Sequence, residues 1–290
     1  MFTEDYLFSK TDSNGTVVRK YLNRIYYYMR NGHNGVNGDY LDAASDDALS
    51  VISSESDVYK LAIGRYSASN LINSDMIWSD PYLVIRRVNI LLSGIDVVPF
   101  NTTYTDALGN TRRLNDSMKA EARFLRAYFY FELCRMFGTV PLVLTTEAVN
   151  NPRAEARELY AQMADDLKYA IQTLPDKKYE VKDSQLGHAT KWAAESLMAR
   201  VYLFYTGYYK QDALPLTEGG SVTKQEVINW LDDCINNSGH GLVSNFGNLW
   251  PYANSATAPD YKFATDNNLS WVGDDQNNET IFSIKYSAMG

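Results

Sequence analysis

Apolar side chains recur at intervals of three and four from about residue 16 to residue 238, the spacing of helices that bury one face. Val18, Leu22, Ile25 and Met29 mark a first helix, and a second is expected from about Asp57 through Leu61 to Arg65. A third is expected to open where Asp80 can cap free amides and Pro81 takes the first helical position, with Ile85, Val88, Leu92 and Ile95 as its stripe. The strongest pattern runs from Asn115 to Phe137, carrying Met118, Ala122, Leu125, Phe129, Leu133 and Met136 on one side. Gly138 ends it and Pro141 prevents its resumption. Leu159, Met163, Leu167, Ala170 and Ile171 define the next helix, which stops at Leu174-Pro175 because a residue before proline is driven out of the helical region. Another spans about Thr190 to Tyr205. The last opens on the capping box Thr223-Lys224-Gln225-Glu226 and carries Val227, Leu231, Cys234 and Ile235.

After Gly239 the periodicity fades into Asn, Gly, Asp and Pro with isolated aromatics, the composition of loops. Near the end Phe282, Ile284 and Tyr286 alternate with Ser283 and Lys285, the period of a short strand. Two helices also echo each other. Ala120-Glu121, Arg126 and Tyr128 match Ala194-Glu195, Arg200 and Tyr202 at a constant offset, and Asp165-Asp166 matches Asp232-Asp233. Units about 70 residues apart correspond to two helical hairpins of the 34-residue tetratricopeptide type, although the literal consensus of that repeat is missing. The expected fold is therefore dominated by α-helix: tetratricopeptide-like hairpins over about residues 16–238, with loop-rich insertions and a few short strands, in one domain across 1–290.

Charge narrows the partners. The 290 residues include 27 Lys and Arg against 35 Asp and Glu, a net charge of −8, which argues against nucleic acid or an anionic bilayer as a ligand. No stretch reads as membrane-spanning, since the most apolar window, Tyr82 to Phe100, contains Arg86, Arg87, Asn89 and Asp96. The first residues lack the basic and apolar regions of a secretory signal, as a mature exported chain also would. Cys134 and Cys234 sit on apolar helix faces and read as small buried hydrophobes.

Candidate chemistry is sparse. The glycines of Asn31-Gly-His-Asn-Gly-Val-Asn-Gly-Asp39 do not match a phosphate-binding fingerprint and read as a flexible polar loop. His33, His188 and His240 have no ligand-spaced partner, so a zinc site is not expected. Asp39, Asp42, Asp46 and Asp47, and again Asp274, Asp275 and Glu279, cluster without a calcium-loop pattern and read as solvated turns. No nucleophile signature or facing carboxylate pair stands out, which leaves a binding or scaffold protein. Twenty-two tyrosines raise the aromatic share to 13%, and those outside the helical stripes suit carbohydrate, whose pyranose faces stack on rings while hydroxyls seek polar neighbours. Trp78, Trp250, Tyr252, Tyr261 and Trp271 are the loop aromatics of that kind; each can equally plug a gap under a loop. Tyr128, Tyr130 and Tyr202 belong to the repeat helices instead.

One stretch is more specific. Lys119-Ala-Glu-Ala-Arg-Phe-Leu-Arg-Ala-Tyr-Phe-Tyr-Phe-Glu-Leu-Cys-Arg-Met-Phe-Gly-Thr-Val-Pro-Leu-Val143 resembles the signature helix and Gly-x-Val-Pro turn of the SusD/RagB family of outer-membrane nutrient-binding lipoproteins. Supporting pieces follow in the family's order: Trp78, Tyr82, Ile85 and Asn89; Asp166-Leu167 with Leu174-Pro175; Thr190 to Leu203; and Asn278-Glu-Thr-Ile-Phe282. The resemblance implies four tetratricopeptide-like units, no catalysis and no cofactor. It also implies a lipid-anchored position on the outer face of the outer membrane, delivery of an oligosaccharide to a SusC-like TonB-dependent transporter, and ligand contacts between the first helix and the Trp78 helix. Asp42, Asp46, Arg65, Tyr66, Asn73 and Trp78 are the expected ligand residues there. Family chains are longer, so the closing part of the fold is expected to be missing after residue 290, which would leave an apolar end surface without its cap. A peptide-capturing member of the same family, a helical-repeat glycoside hydrolase and a cytosolic tetratricopeptide scaffold are the alternatives.

Overall fold

In a computed structural model of the protein, the residues described are 7–8, 14–32, 74–98, 102–105, 111–147, 150–180, 183, 185–249, 261–270, 272 and 277–284. Six long helices carry the architecture among them: α1 (Thr16–Gly32), α2 (Ser74–Gly94), α3 (Leu114–Phe137), α4 (Ala156–Thr173), α5 (Lys191–Tyr208) and α6 (Lys224–Asn237). A short α7 (Lys262–Asp266) follows, with 3₁₀ turns at Ile95–Val97 and Phe246–Leu249. Two small antiparallel hairpins complete the order. β1 (Thr103–Thr105) pairs with β2 (Thr111–Arg113) just before α3, and β3 (Leu214–Pro215) pairs with β4 (Ser221–Val222) between α5 and α6.

Each long helix packs on the next in sequence, from α1 to α6. Ring contacts give the direction of the neighbours. Trp78 at the start of α2 meets Phe137 at the end of α3, and Tyr160 near the start of α4 meets Tyr205 and Tyr209 at the end of α5. These are antiparallel hairpins, as the repeat pattern requires. One cluster of buried apolar side chains runs through the whole stack, from Val18, Leu22, Ile25 and Met29 of α1 to Val227 of α6.

Local chemistry explains most boundaries. Thr190 caps α5 by accepting from the Ala193 N–H, and at α6 Thr223 and Glu226 exchange the reciprocal bonds of the expected capping box. Gly138 ends α3 at φ +73°, a conformation that disfavours any residue with a Cβ. Other expectations need correction. α2 begins at Ser74 and runs through Pro81, so Asp80 and Pro81 lie inside the helix and not at its start. A proline there removes one N–H, but Trp78 packs on Tyr82 and on Phe137, and that ring packing favours the turn ahead of it. Met136 is 41% exposed and Ile235 72% exposed, although both continue an apolar stripe. Met136 lies in the last turn of α3, and Ile235 lies on α6, after which no further long helix follows among the described residues to cover it. Phe282 and Ile284 belong to no strand; Phe282 packs its ring edge-on against Phe124, 5.2 Å away, which a side chain achieves without a pairing ladder. The helix expected from Asp57 to Arg65 lies outside the described residues.

The signature helix α3 is buried on nearly every side, and it includes charge: Glu121 and Arg126 are both in the core. Arg126 forms a bidentate pair with Asp166 of α4, Nε to Oδ2 at 2.7 Å and Nη2 to Oδ1 at 2.8 Å. Its Nη1 donates to the Asn89 Oδ1 of α2 at 2.9 Å, and the Asn89 amide donates onward to the Val143 carbonyl at 2.9 Å. Tyr130 both donates to the Val143 carbonyl and accepts from its N–H, while the Tyr82 hydroxyl donates to the Pro141 carbonyl at 2.7 Å. The residues that carry the family resemblance thus tie α2, α3, α4 and the connector after Gly138 into one knot. Breaking a buried ion pair strands a charge, so Asp166→Ala is expected to lower the unfolding free energy by about 3–5 kcal/mol in urea titrations. Replacing both partners, Arg126→Met with Asp166→Leu, is expected to recover most of that loss.

Candidate functional site

A cleft of about 700 Å³ opens at the end of the stack where α1 and α3 begin and the segment after α4 passes. Each wall follows from local structure. Arg19 and Lys20 project from the first turns of α1; Ser117 and Met118 come from the first turn of α3; Tyr104 comes from β1. The fourth side is Pro175, Asp176, Lys177 and Tyr179, where Pro175 has ended the helical path of α4 and leaves extended chain.

Two tyrosine rings, with Leu114, Met118 and Pro175, give the cleft its apolar surface. The Tyr104 hydroxyl donates to the Thr173 carbonyl, which fixes its ring across the end of α4. Burial, reinforced by the nearby charge of Glu121, holds the Tyr179 phenol above its ordinary pKa, so it remains a neutral donor. Two of its charged groups are balanced by carboxylates. Lys177 pairs with Asp183 at 3.0 Å, and Arg19 donates to Glu121 at 2.7 Å. Paired charges of this kind supply hydrogen bonds without a strong net field.

Glu121 supports Arg19 from below. Its carboxylate is nearly inaccessible and takes Arg19 on Oε1, with Tyr26 at 3.1 Å and His188 Nδ1 at 2.6 Å on Oε2. Burial would push its pKa up, but Arg19 and His188 outweigh that and hold the carboxyl below the ordinary value. The His188 ring also rests against Tyr26, with centroids 4.6 Å apart. A buried acid with this set of donors is a structural anchor that aims Arg19 at the cleft.

Of the expected ligand residues, Asp42, Asp46, Arg65, Tyr66 and Asn73 lie outside the described residues, as do Trp250, Tyr252 and Trp271. Trp78 is described. It is 38% exposed on α2, with its ring held by Tyr82 and Phe137 at the far end of the helices from the cleft. Tyr261 is exposed at the start of α7. A second opening of about 350 Å³ lies between α3, α5 and residues 279–282, and includes Tyr128 and Arg200. Glu279, expected in a solvated acidic turn, accepts from the Val243 N–H at 2.7 Å. No group of three or more His, Cys, Asp or Glu side chains placed to hold a metal ion occurs among the described residues. None of the described helices is long and apolar enough to cross a membrane.

Sequence reasoning missed Arg19, Glu121, Tyr104, Tyr179 and His188. A signal existed for the two tyrosines, which lie in connectors outside the apolar stripes beside Thr and Lys, the criterion already applied to the later loop aromatics.

Comparison with known proteins agrees with this architecture. A SusD-like family model described as "Starch-binding associating with outer membrane" matches residues 5–203, more than half of the chain. A SusD-like protein of Bacteroides ovatus is 29% identical over 185 residues, covering 61% of this chain and 30% of that protein. A laminarin-binding SusD-like protein of known structure superposes with a TM-score of 0.64 at 26% identity, covering 85% of this chain and 50% of that one. A SusD-like protein from Bacteroides fragilis superposes with a TM-score of 0.61 at 23% identity over 96% of this chain and 46% of that one. The chain therefore spans less than a third of the length of the Bacteroides ovatus relative.

If Glu121 anchors Arg19 as an anion, Glu121→Gln is expected to cost about 1–3 kcal/mol at pH 7. Because the folded carboxyl titrates below its unfolded value, this contribution exists above about pH 4.3 and is lost as pH falls through the folded value. Thermal unfolding at a series of pH values is expected to show wild type and variant converging on the acid side.

Proposed function

Because this chain belongs to the SusD-like family, we propose that it is a non-enzymatic oligosaccharide receptor, held at the outer face of the outer membrane and passing its ligand to a TonB-dependent transporter. The observation that carries the reading is the cleft. Its volume of about 700 Å³ suits a few sugar rings, Tyr104 and Tyr179 line it with aromatic rings, and Arg19, Lys20, Asp176 and Gln185 offer donors and acceptors for hydroxyls. A ligand without charge fits a lining whose Arg19 and Lys177 are already paired. The laminarin-binding relative supports the same ligand class.

Hydrolysis fits less well. A glycosidase needs two carboxyl groups facing each other across the bound sugar, and Asp176 is the one carboxylate among the described lining residues. Glu121, close behind, is committed to Arg19, Tyr26 and His188.

Titration calorimetry with laminari- and xylogluco-oligosaccharides tests the proposal. Tyr104→Ala and Tyr179→Ala are each expected to weaken binding about tenfold, equivalent to 1.4 kcal/mol, with the fold intact by circular dichroism. If Trp78→Ala has that effect and the two tyrosine variants do not, the ligand sits at the other end of the helices, at the one expected ligand residue that is described. Binding of peptides but of no saccharide would identify a peptide-capturing member, and release of reducing ends would identify a hydrolase.

A further inference from the structure

Glu195, the repeat counterpart of Glu121, is fully buried on α5, and neither carboxylate oxygen has a hydrogen-bond partner. The charged and titratable groups that face it can be named element by element. On α5 itself, one turn earlier, Lys191 approaches to 3.7 Å but directs its ammonium to Asp233. From α6 come Asp233 and the buried Cys234 thiol. From the segment after α4, Asp176 acts on Lys191. Asp233 is the better satisfied acid, because Asn237 also donates to it at 2.6 Å and it retains partial contact with solvent. One ammonium therefore serves two carboxyl groups, and the dry one keeps only the longer 3.7 Å contact with it.

We propose that the joint between α5 and α6 is a proton-dependent latch, in which Glu195 remains a neutral acid beside the Asp233 carboxylate and the joint loosens when that proton is lost. The balance is simple: Lys191 carries +1, Asp233 carries −1, and the protonated Glu195 adds nothing to the buried charge. Loss of the proton to solvent places a second, uncompensated anion in the core between the two helices, where desolvation is costly. Burial raises the Glu195 carboxyl to about 8, with Lys191 opposing the rise. The unfolded value is near 4.3. Between those limits the folded chain holds a proton that the unfolded chain does not, so stability falls as pH rises through that window. This is the opposite of Glu121, whose contribution is lost on the acid side.

Glu195→Gln keeps the shape and the neutrality at every pH. Thermal unfolding of the whole protein from pH 4 to pH 9 is expected to give similar midpoints for variant and wild type near pH 4, where the unfolded chain holds the proton too, and a gap that widens from there to about pH 8. A lead of about 3 °C or more for the variant is expected by pH 9, since 1 kcal/mol moves the midpoint by a few degrees in chains of this size. A difference that does not grow with pH overturns the latch. Should the variant fail to fold, carbon-13 NMR titration of glutamate carboxyls in the wild type decides: a Glu195 midpoint near 8 supports the proposal, and one below about 5.5 overturns it.

Discussion

The bidentate pair of Arg126 and Asp166 is the constraint from which the rest of the stack follows. A guanidinium and a carboxylate placed in a helical core must satisfy each other and their remaining hydrogen-bonding atoms, or the cost of burial exceeds their attraction. The planar fork of Arg126 meets that demand in one geometry, with two bonds to Asp166 and one to Asn89. It thereby fixes how α3 sits on α4 and on α2. The Asn89 amide then passes the constraint to the chain beyond Gly138, where Tyr130 and Tyr82 hold the same connector. The apolar core alone would allow neighbouring helices to slide by a turn. A polar knot with a single satisfied arrangement does not, and it sets the register on which α1 and α5 build.

Helices whose ends are decided by local chemistry were legible from sequence. Thr190, Thr223 with Glu226, Gly138 and Leu174-Pro175 act within one turn, and the structure follows each. Pro81 is different. Its placement at a helix start is a local preference, and the contact of Trp78 with Phe137, fifty-nine residues away, overrides it. Periodicity also failed where cover depends on the neighbour, as Met136 and Ile235 show. It said little about the facing of α3, because that helix is surrounded and even Glu121 and Arg126 point into the core.

The cleft was not legible, because it exists only as convergence. Side chains from the start of α1, from β1, from the start of α3 and from Pro175, Asp176, Lys177, Tyr179 and Gln185 meet there through segments that are distant in sequence, and no spacing rule links them. The resemblance placed ligand residues between α1 and α2, and of these Trp78 alone falls among the described residues. The signature residues themselves perform structural work: the motif that identifies the family is the Arg126 knot, and the side chains facing the cleft lie outside it.

The internal repeat shows the same division between pattern and environment. Glu121 and Glu195 occupy equivalent positions, yet Glu121 receives Arg19 and Tyr26 from α1 and His188 from the turn before α5, whereas Glu195 faces a lysine already engaged by Asp233. Arg126 is buried against Asp166, while its counterpart Arg200 is exposed and the counterpart of Asp166 pairs with Lys191 instead. A repeat copies the letters of one helix but not the helices around it. Ionisation state is a property of those surroundings, so one glutamate becomes an anion that orients a cleft arginine, and the other becomes an acid that resists losing its proton.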